Sequence, residues 1–171
     1  RVSLTWPPRP ARRRSAWKKP PEPSVAVVDT GNYYPRQGDG RIEEIERGML
    51  ESRWVEKQLR RAVIKTFNTM YAEHLLRLGR PRGSPGRIAL PVAGDDTAAK
   101  AVIMQLVDAI GFDPVDAGGL DESWRQQPGT PVYTEDFDAA RVRAALAQAR
   151  RERTPEWSGT RNSPGTFAAP A

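Results

Sequence analysis

The sequence predicts an α/β fold with a mostly parallel sheet and flanking helices, and three observations predict it. Short apolar, β-branched runs recur at 24–30 ("SVAVVDT"), 62–67 ("AVIKTF"), 87–92 ("RIALPV") and 112–118 ("FDPVDAG"). Segments with helical spacing of apolar residues separate them. Glycine, proline and aspartate punctuate the joins. Strand–helix–strand alternation at this spacing is the pattern of parallel strands joined by crossover helices.

Each element has a local reason. Ser24–Thr30 is a continuous apolar run, as expected of a strand covered on both faces. Residues 42–59 place Ile42, Ile45, Met49, Val55 and Leu59 near helical spacing, with Glu43, Glu44 and Glu46 in the first turns, where acidic groups suit the positive end of a helix. One helix is therefore expected there. Ala62–Phe67 reads as the second strand, and Tyr71–Leu78 as a short helix closed by Gly79. "GRPRGSPG" (79–86) is a loop. Arg87–Val92 is the third strand, with Pro91 marking an edge or a strand end. Asp95 or Asp96 caps the next helix, whose apolar face is Ala99, Val102, Ile103, Leu106, Val107 and Ile110, and Gly111 stops it. A fourth strand follows at 112–118. About Asp136–Arg153 forms the last helix.

Right-handed crossovers place the strand carboxyl ends on one rim. That rim is expected to collect Asp29–Tyr34, Asn68–Tyr71, Gly94–Asp96 and Ala117–Gly119. Ligands in open α/β sheets bind at such a rim.

The ends of the chain are of different composition. The 171 residues carry a net charge of +6. Residues 1–23 hold seven of the basic side chains, one acidic residue (Glu22) and six of the sixteen prolines. This leader alone accounts for +6, and the remainder is neutral. With no periodic apolar pattern the leader is expected to be disordered, as is the Pro/Gly/Ser-rich tail 154–171. The expected organisation is a leader (1–23), a domain (24–153) and a tail (154–171). "PARRRSAWKKP" invites a nucleic-acid or nuclear-import reading. The neutral domain behind so short a cluster argues against it, so nucleic acid is not the expected partner.

Composition removes other chemistry. There is no cysteine, which excludes disulfides, thiolate catalysis and Cys-based zinc sites. No apolar run reaches the length of a membrane span, and the amino terminus shows no signal-peptide core. A cytoplasmic protein is the expectation. His74 is the only histidine and sits in a helix, so no His cluster can bind metal, and a surface histidine is expected. Asp95 and Asp96 are explained by capping. No metal site is expected.

Two stretches carry functional signals. Lys65 and Asn68 form K-x-x-N at the second strand's end. A lysine in an apolar strand needs either a path to water or a partner: Lys65 balances an anionic ligand, holds a polar substrate group, or carries its ammonium to water as a snorkelling side chain. "ESWRQQPGTPVY" (122–133) is a long irregular stretch with a Trp, an Arg and two Gln, expected to be a packed loop that faces a ligand or an interface. Neither G-x-G-x-x-G nor G-x-x-x-x-G-K-[ST] occurs anywhere in the chain.

"VVDTGNYYP", "IKTFNTMYAEHL", "LPVAGDD", "GFDPVDAGGL" and "ESWRQQPGTPVY", in this order, resemble the later part of the bacterial NADP-binding oxidoreductases similar to deazaflavin (coenzyme F-420)-dependent NADP reductase, over about residues 24–150. The K-x-F-N-T stretch is also similar to the reductase domain of the STEAP metalloreductases. The resemblance implies a partial Rossmann-like fold and hydride transfer between NADP(H) and a deazaflavin, a flavin or another acceptor. It implies that Asp29, Thr30, Asn32, Lys65, Phe67 and Asn68 approach the nicotinamide. Such chemistry asks the protein for orientation and water exclusion more than for acids and bases. Family members open with a glycine-loop strand and helix, and the expectation is a chain lacking that half. Without it the sheet would expose an edge to a second copy or a complementing partner. The alternative reading is a non-catalytic, truncated remnant or an interaction module.

Overall fold

The computed structural model describes residues 2–5, 25–35 and 40–152. The order is β1 (Val2–Thr5), β2 (Ala26–Asp29), α1 (Glu43–Glu46), α2 (Glu51–Leu59), β3 (Ile64–Lys65), α3 (Ala72–Arg77), β4 (Ala89–Val92), α4 (Thr97–Ala109), β5 (Asp113–Asp116), a 3-10 helix (Leu120–Gln126) and α5 (Ala139–Gln148). The α/β class and the flanking helices are as expected.

The sheet is divided. β1, β2 and β3 pair in parallel in that order, and β4 pairs in parallel with β5. A single antiparallel bridge, Lys65 with Ala93, joins the two sheets through mutual backbone hydrogen bonds of 2.7 and 3.0 Å. Gly94 makes this join possible: a Cβ on it would lie 2.3 Å from Ile64 Cδ1.

Three apolar clusters fill the layers. α2 covers one face of the first sheet, with Trp54 and Val55 against Val27 and Val63. α4 runs across both sheets, and its Ile103 and Val107 meet Val28, Ile64, Leu90 and Val92. α5 covers the outer face of β4 and β5 through Val142 and Leu146. The central strands β2 and β4 are thus buried along most of their length because helices pack on the sheets. The 87–113 corner is pinned by a buried arginine: Arg87 holds Asp108 Oδ1 at 2.9 Å and also pairs with Asp113.

Four expectations need correction. Residues 42–59 are two helices. After Glu46 the chain closes a Schellman motif, with Met49 N–H bonded to Glu44 O and Gly48 N–H to Ile45 O, both at 2.9 Å. Gly48 takes the required left-handed conformation, φ 104°. The expected strand Ala62–Phe67 is reduced to Ile64–Lys65, because Phe67 turns the chain at φ 66°. The leader was expected to lack regular structure, yet Val2–Thr5 pair with Ala26–Asp29. Residues 6–24 and 153–171 lie outside the described residues, and with them the expectations of a disordered leader beyond Thr5 and a disordered tail.

The fourth correction concerns the rim. β4 meets β3 in the antiparallel sense, so the carboxyl end of β4 lies beside the amino ends of β2 and β3. Asp96 there shares a groove with Val25, Ala26 and Arg61. The strand ends therefore gather on two rims, and only those of β2 and β3 stay together at the expected site. Among the described residues no helix is long and apolar enough to cross a membrane.

Candidate functional site

The carboxyl ends of β2 and β3 are neighbours because Asp29 and Lys65 are register partners. Their side chains meet as well. Lys65 Nζ lies 3.1 Å from Asp29 Oδ2, with both side chains wholly buried. Asp29 also accepts from Ser52 Oγ at 2.8 Å and from Gly31 N–H at 3.0 Å, and the Lys65 ammonium also donates to Gly31 O. Lys65 is thus not a snorkelling side chain but one with a buried partner. Its charge is spent on fixing the β2 turn to the end of β3. A buried charge pair holds only where further hydrogen bonds satisfy both ions. Ser52 and the two Gly31 backbone groups supply them.

Beyond this pair the chain turns through Thr30, Gly31 and Asn32, all half-buried. Asn32 and Asn68 face each other across the two strand ends. Asn32 Nδ2 donates to Asn68 O at 3.0 Å, and Asn68 Nδ2 donates to Asn32 Oδ1 at 3.0 Å and to Gln126 O at 2.6 Å. Gln126 Nε2 in turn reaches Asn68 Oδ1 at 3.0 Å and Lys65 O at 3.3 Å. Phe67, between Lys65 and Asn68, is half-buried and held at positive φ, where a bulky residue stores strain. The amide ladder on either side over-determines that conformation.

Two tyrosines close the site. The Tyr34 and Tyr133 hydroxyls hydrogen-bond to each other, and Tyr133 OH also accepts from Asn32 Nδ2 at 3.2 Å. Burial, then the Tyr133 hydrogen bond and nearby Tyr133 and Glu51, push the Tyr34 phenol far above its ordinary range. Burial raises Tyr133 too, with Glu51 adding to the effect. Both hydroxyls are therefore neutral over the physiological range. Tyr133 is brought in by the loop after the 3-10 helix, which is anchored where Thr134 N–H bonds Thr69 O at 2.9 Å. Tyr33 is buried beneath the turn. Its N–H bonds Glu51 Oε2 at 3.0 Å, and its hydroxyl bonds Glu46 Oε1 at 2.8 Å.

All six sequence-predicted residues, Asp29, Thr30, Asn32, Lys65, Phe67 and Asn68, lie in this one region. Asp29 and Lys65 form its buried base, while Thr30, Asn32 and Phe67 keep partial exposure. Sequence reasoning missed Ser52, Gln126 and Tyr133 as members. Gln126 and Tyr133 belong to the irregular 122–133 stretch, whose aromatic and amide content was the available signal. Ser52 had none beyond its place at a helix start.

The other candidates take structural roles. Asp96 caps α4, accepting from Ala99 N–H at 2.9 Å. Asp95 accepts from Leu120 N–H at 2.8 Å and pairs with Arg53 at 2.7 Å. Arg53 also meets Glu56 and Asp121, and it holds the Asp121 carboxyl below the usual carboxylate range. His74 Nδ1 lies 2.8 Å from Asp136 Oδ2 at the surface. Trp54 packs in the core with its indole N–H on Glu44 Oε2 at 3.0 Å. Among the described residues no group of three His, Cys, Asp or Glu side chains is placed to hold a metal.

No family model matches the chain. It is 52% identical over 71 residues to "Putative protein YjhV" of Escherichia coli K12, a stretch that is 42% of this chain and 52% of that protein. Its fold matches the crystal structure of a hypothetical protein, SMa0349, from Sinorhizobium meliloti. The TM-score is 0.55 with 27% sequence identity, over 66% of this chain and 54% of the other. A "putative f420 dependent nadp-reductase" from Arthrobacter sp. FB24 aligns at TM-score 0.42 and 27% identity, over 58% and 45% of the two chains. The chain spans about half the length of the relatives it matches.

Proposed function

We propose that the chain is the nicotinamide-facing portion of an NADP(H)-dependent oxidoreductase that passes hydride between NADPH and a deazaflavin, flavin or other acceptor. The observation that carries this reading is the preorganised rim at the ends of β2 and β3, where amides and phenols meet above the buried Asp29–Lys65 pair. Its one ion pair is internally cancelled, its amides are locked in a ladder, and its phenols are held protonated. Such a surface suits a neutral redox ring rather than acid–base or nucleophilic chemistry.

The fit to the cofactor is partial. Asn32, Phe67, Tyr34 and Tyr133 offer aromatic and neutral polar surface to a carboxamide-bearing ring. When bound, the cofactor supplies the transferable hydride. The residues of the rim orient the ring, and the buried Asp29–Lys65 base keeps water from beneath it. Nothing among the described residues matches a pyrophosphate cradle, in keeping with the missing glycine-loop motif.

Intrinsic fluorescence, with five tryptophans as reporters, tests the reading by titration with NADPH. Saturable quenching that is lost in Asn32→Ala/Asn68→Ala supports it, and a flat titration with the folded protein contradicts it.

A second reading has its own observation. A groove of about 490 Å³ runs between α4 and the amino ends of β2 and β3, and Val102 on it is 51% exposed. We read this apolar surface as the seat of a complementing polypeptide that supplies a glycine-loop segment, in which case cofactor binding requires both chains. Co-expression with the amino-terminal half of a full-length relative tests it. Co-purification and a gain in NADPH affinity are expected, and two chains that elute separately refute it.

A further inference from the structure

A second cavity, of about 230 Å³, opens on the far side of the turn. One wall is the Met49–Leu50 link between α1 and α2, and the other is Trp124 with Pro128. Arg150 and Arg151 stand at the mouth. The volume falls below the roughly 300–1,000 Å³ of drug-sized ligand pockets, so a dinucleotide is excluded and a single substituted ring fits.

The charges decide the ligand's sign. Two carboxylates border the cavity, Glu51 and Glu152. Glu51 is buried and accepts the Tyr33 N–H, so its charge is engaged toward the turn. Glu152 is exposed at the mouth beside the two arginines. Arg125 lies 4.4 Å and Arg151 5.1 Å from the Trp124 ring centroid. The aromatic wall is thus already occupied by cations, which disfavours another. Among the described residues neither Arg150 nor Arg151 lies within ion-pair distance of a carboxylate, although the Arg151 charge helps to lower the Asp121 carboxyl.

We infer that this cleft, between the α1–α2 link and the 3-10 helix, is a binding site for a small aromatic carboxylate. Its ring lies between Met49, Leu50, Pro128 and Trp124, and its carboxylate faces Arg150 and Arg151. The site is separate from the nicotinamide-facing rim and does not depend on it. Glu51 lines the cavity and is also the partner of the Tyr33 N–H beneath the turn.

Trp124 supplies the reporter. Its indole N–H is buried and has no hydrogen-bond partner among the described residues, so none of them fixes its resonance. In ¹H–¹⁵N spectra of the full chain, with the Trp124 indole signal assigned by Trp124→Phe, benzoate is titrated against benzyl alcohol and benzylammonium. A saturable shift of that signal with benzoate is expected, at least threefold tighter than with either control. The exposed pair Arg150→Ala/Arg151→Ala is expected to weaken benzoate at least threefold while leaving benzyl alcohol unchanged. An unmoved signal at 50 mM benzoate (about a hundredfold above a sub-millimolar Kd), or equal binding of benzylammonium, overturns the proposal.

Discussion

Replacing Lys65 with methionine removes one charge from a site with no access to water. Lys65 and Asp29 are both wholly buried, 3.1 Å apart. At an effective dielectric of about 20, the lost attraction is about 5 kcal/mol. Asp29 retains the Ser52 hydroxyl and the Gly31 N–H, which soften the loss but supply no charge. Lys65→Met is therefore expected to cost about 3–5 kcal/mol, the range for orphaning one member of a buried pair. In urea unfolding with a slope of about 1–3 kcal/mol/M, the midpoint falls by roughly 2 M. Asp29→Asn/Lys65→Met removes both charges and is expected to recover about 2–3 kcal/mol relative to the sum of the single variants. A single variant that unfolds outright while the double variant folds is the same outcome in a stronger form. A loss below about 1 kcal/mol for Lys65→Met, or strict additivity in the cycle, would refute the role given to the buried Asp29–Lys65 pair.

Three further outcomes follow from the structure. Tyr34 and Tyr133 have folded-state pKa values raised above the unfolded value, so the neutral form is favoured on folding. That stability is complete below about pH 10 and is lost as pH rises further, and urea midpoints between pH 8 and 11.5 should fall less steeply in Tyr133→Phe. Gly94→Ala drives a Cβ against Ile64 Cδ1, at an expected cost of about 1–3 kcal/mol. Adding Ile64→Val removes that atom, so the double variant should be more stable than additivity gives, as read by thermal melting. Arg53→Met frees Asp121 from its cation, and the Asp121 carboxyl carbon should then titrate nearer the ordinary carboxylate range in NMR.

The α/β class was legible because β2, β3 and β4 lie in short apolar runs separated by helical periods, a pattern set by local sequence. The convergence of "DTGN" with "KTFN" was legible for a related reason: parallel neighbouring strands place their ends together. What the sequence hid was the sense of β4 relative to β3. That sense rests on two backbone hydrogen bonds at Lys65 and Ala93 and on a glycine with room for Ile64, none of which leaves a periodic signature. The Asp95–Asp96 end was consequently assigned to the wrong rim. The break after Glu46 was written as Arg47-Gly48, but a glycine within an apolar helical period is outweighed by the pattern around it until its φ is known. Lys65 offered two readings, and its actual partner is 36 residues away. Pairing over such separation is fixed by register, which the strands could not declare alone. Gln126 and Tyr133 were visible only as unusual loop composition.

The most direct test of the nicotinamide-facing rim is chemical-shift mapping of the ¹⁵N-labelled protein with NADPH and, separately, with 2′-phospho-ADP-ribose, which lacks the nicotinamide ring. Shifts at Gly31, Asn32, Phe67, Asn68 and Tyr133 with NADPH, absent with the truncated ligand, are expected. Identical shifts from both ligands, or NADPH shifts that bypass these residues, would contradict the assignment.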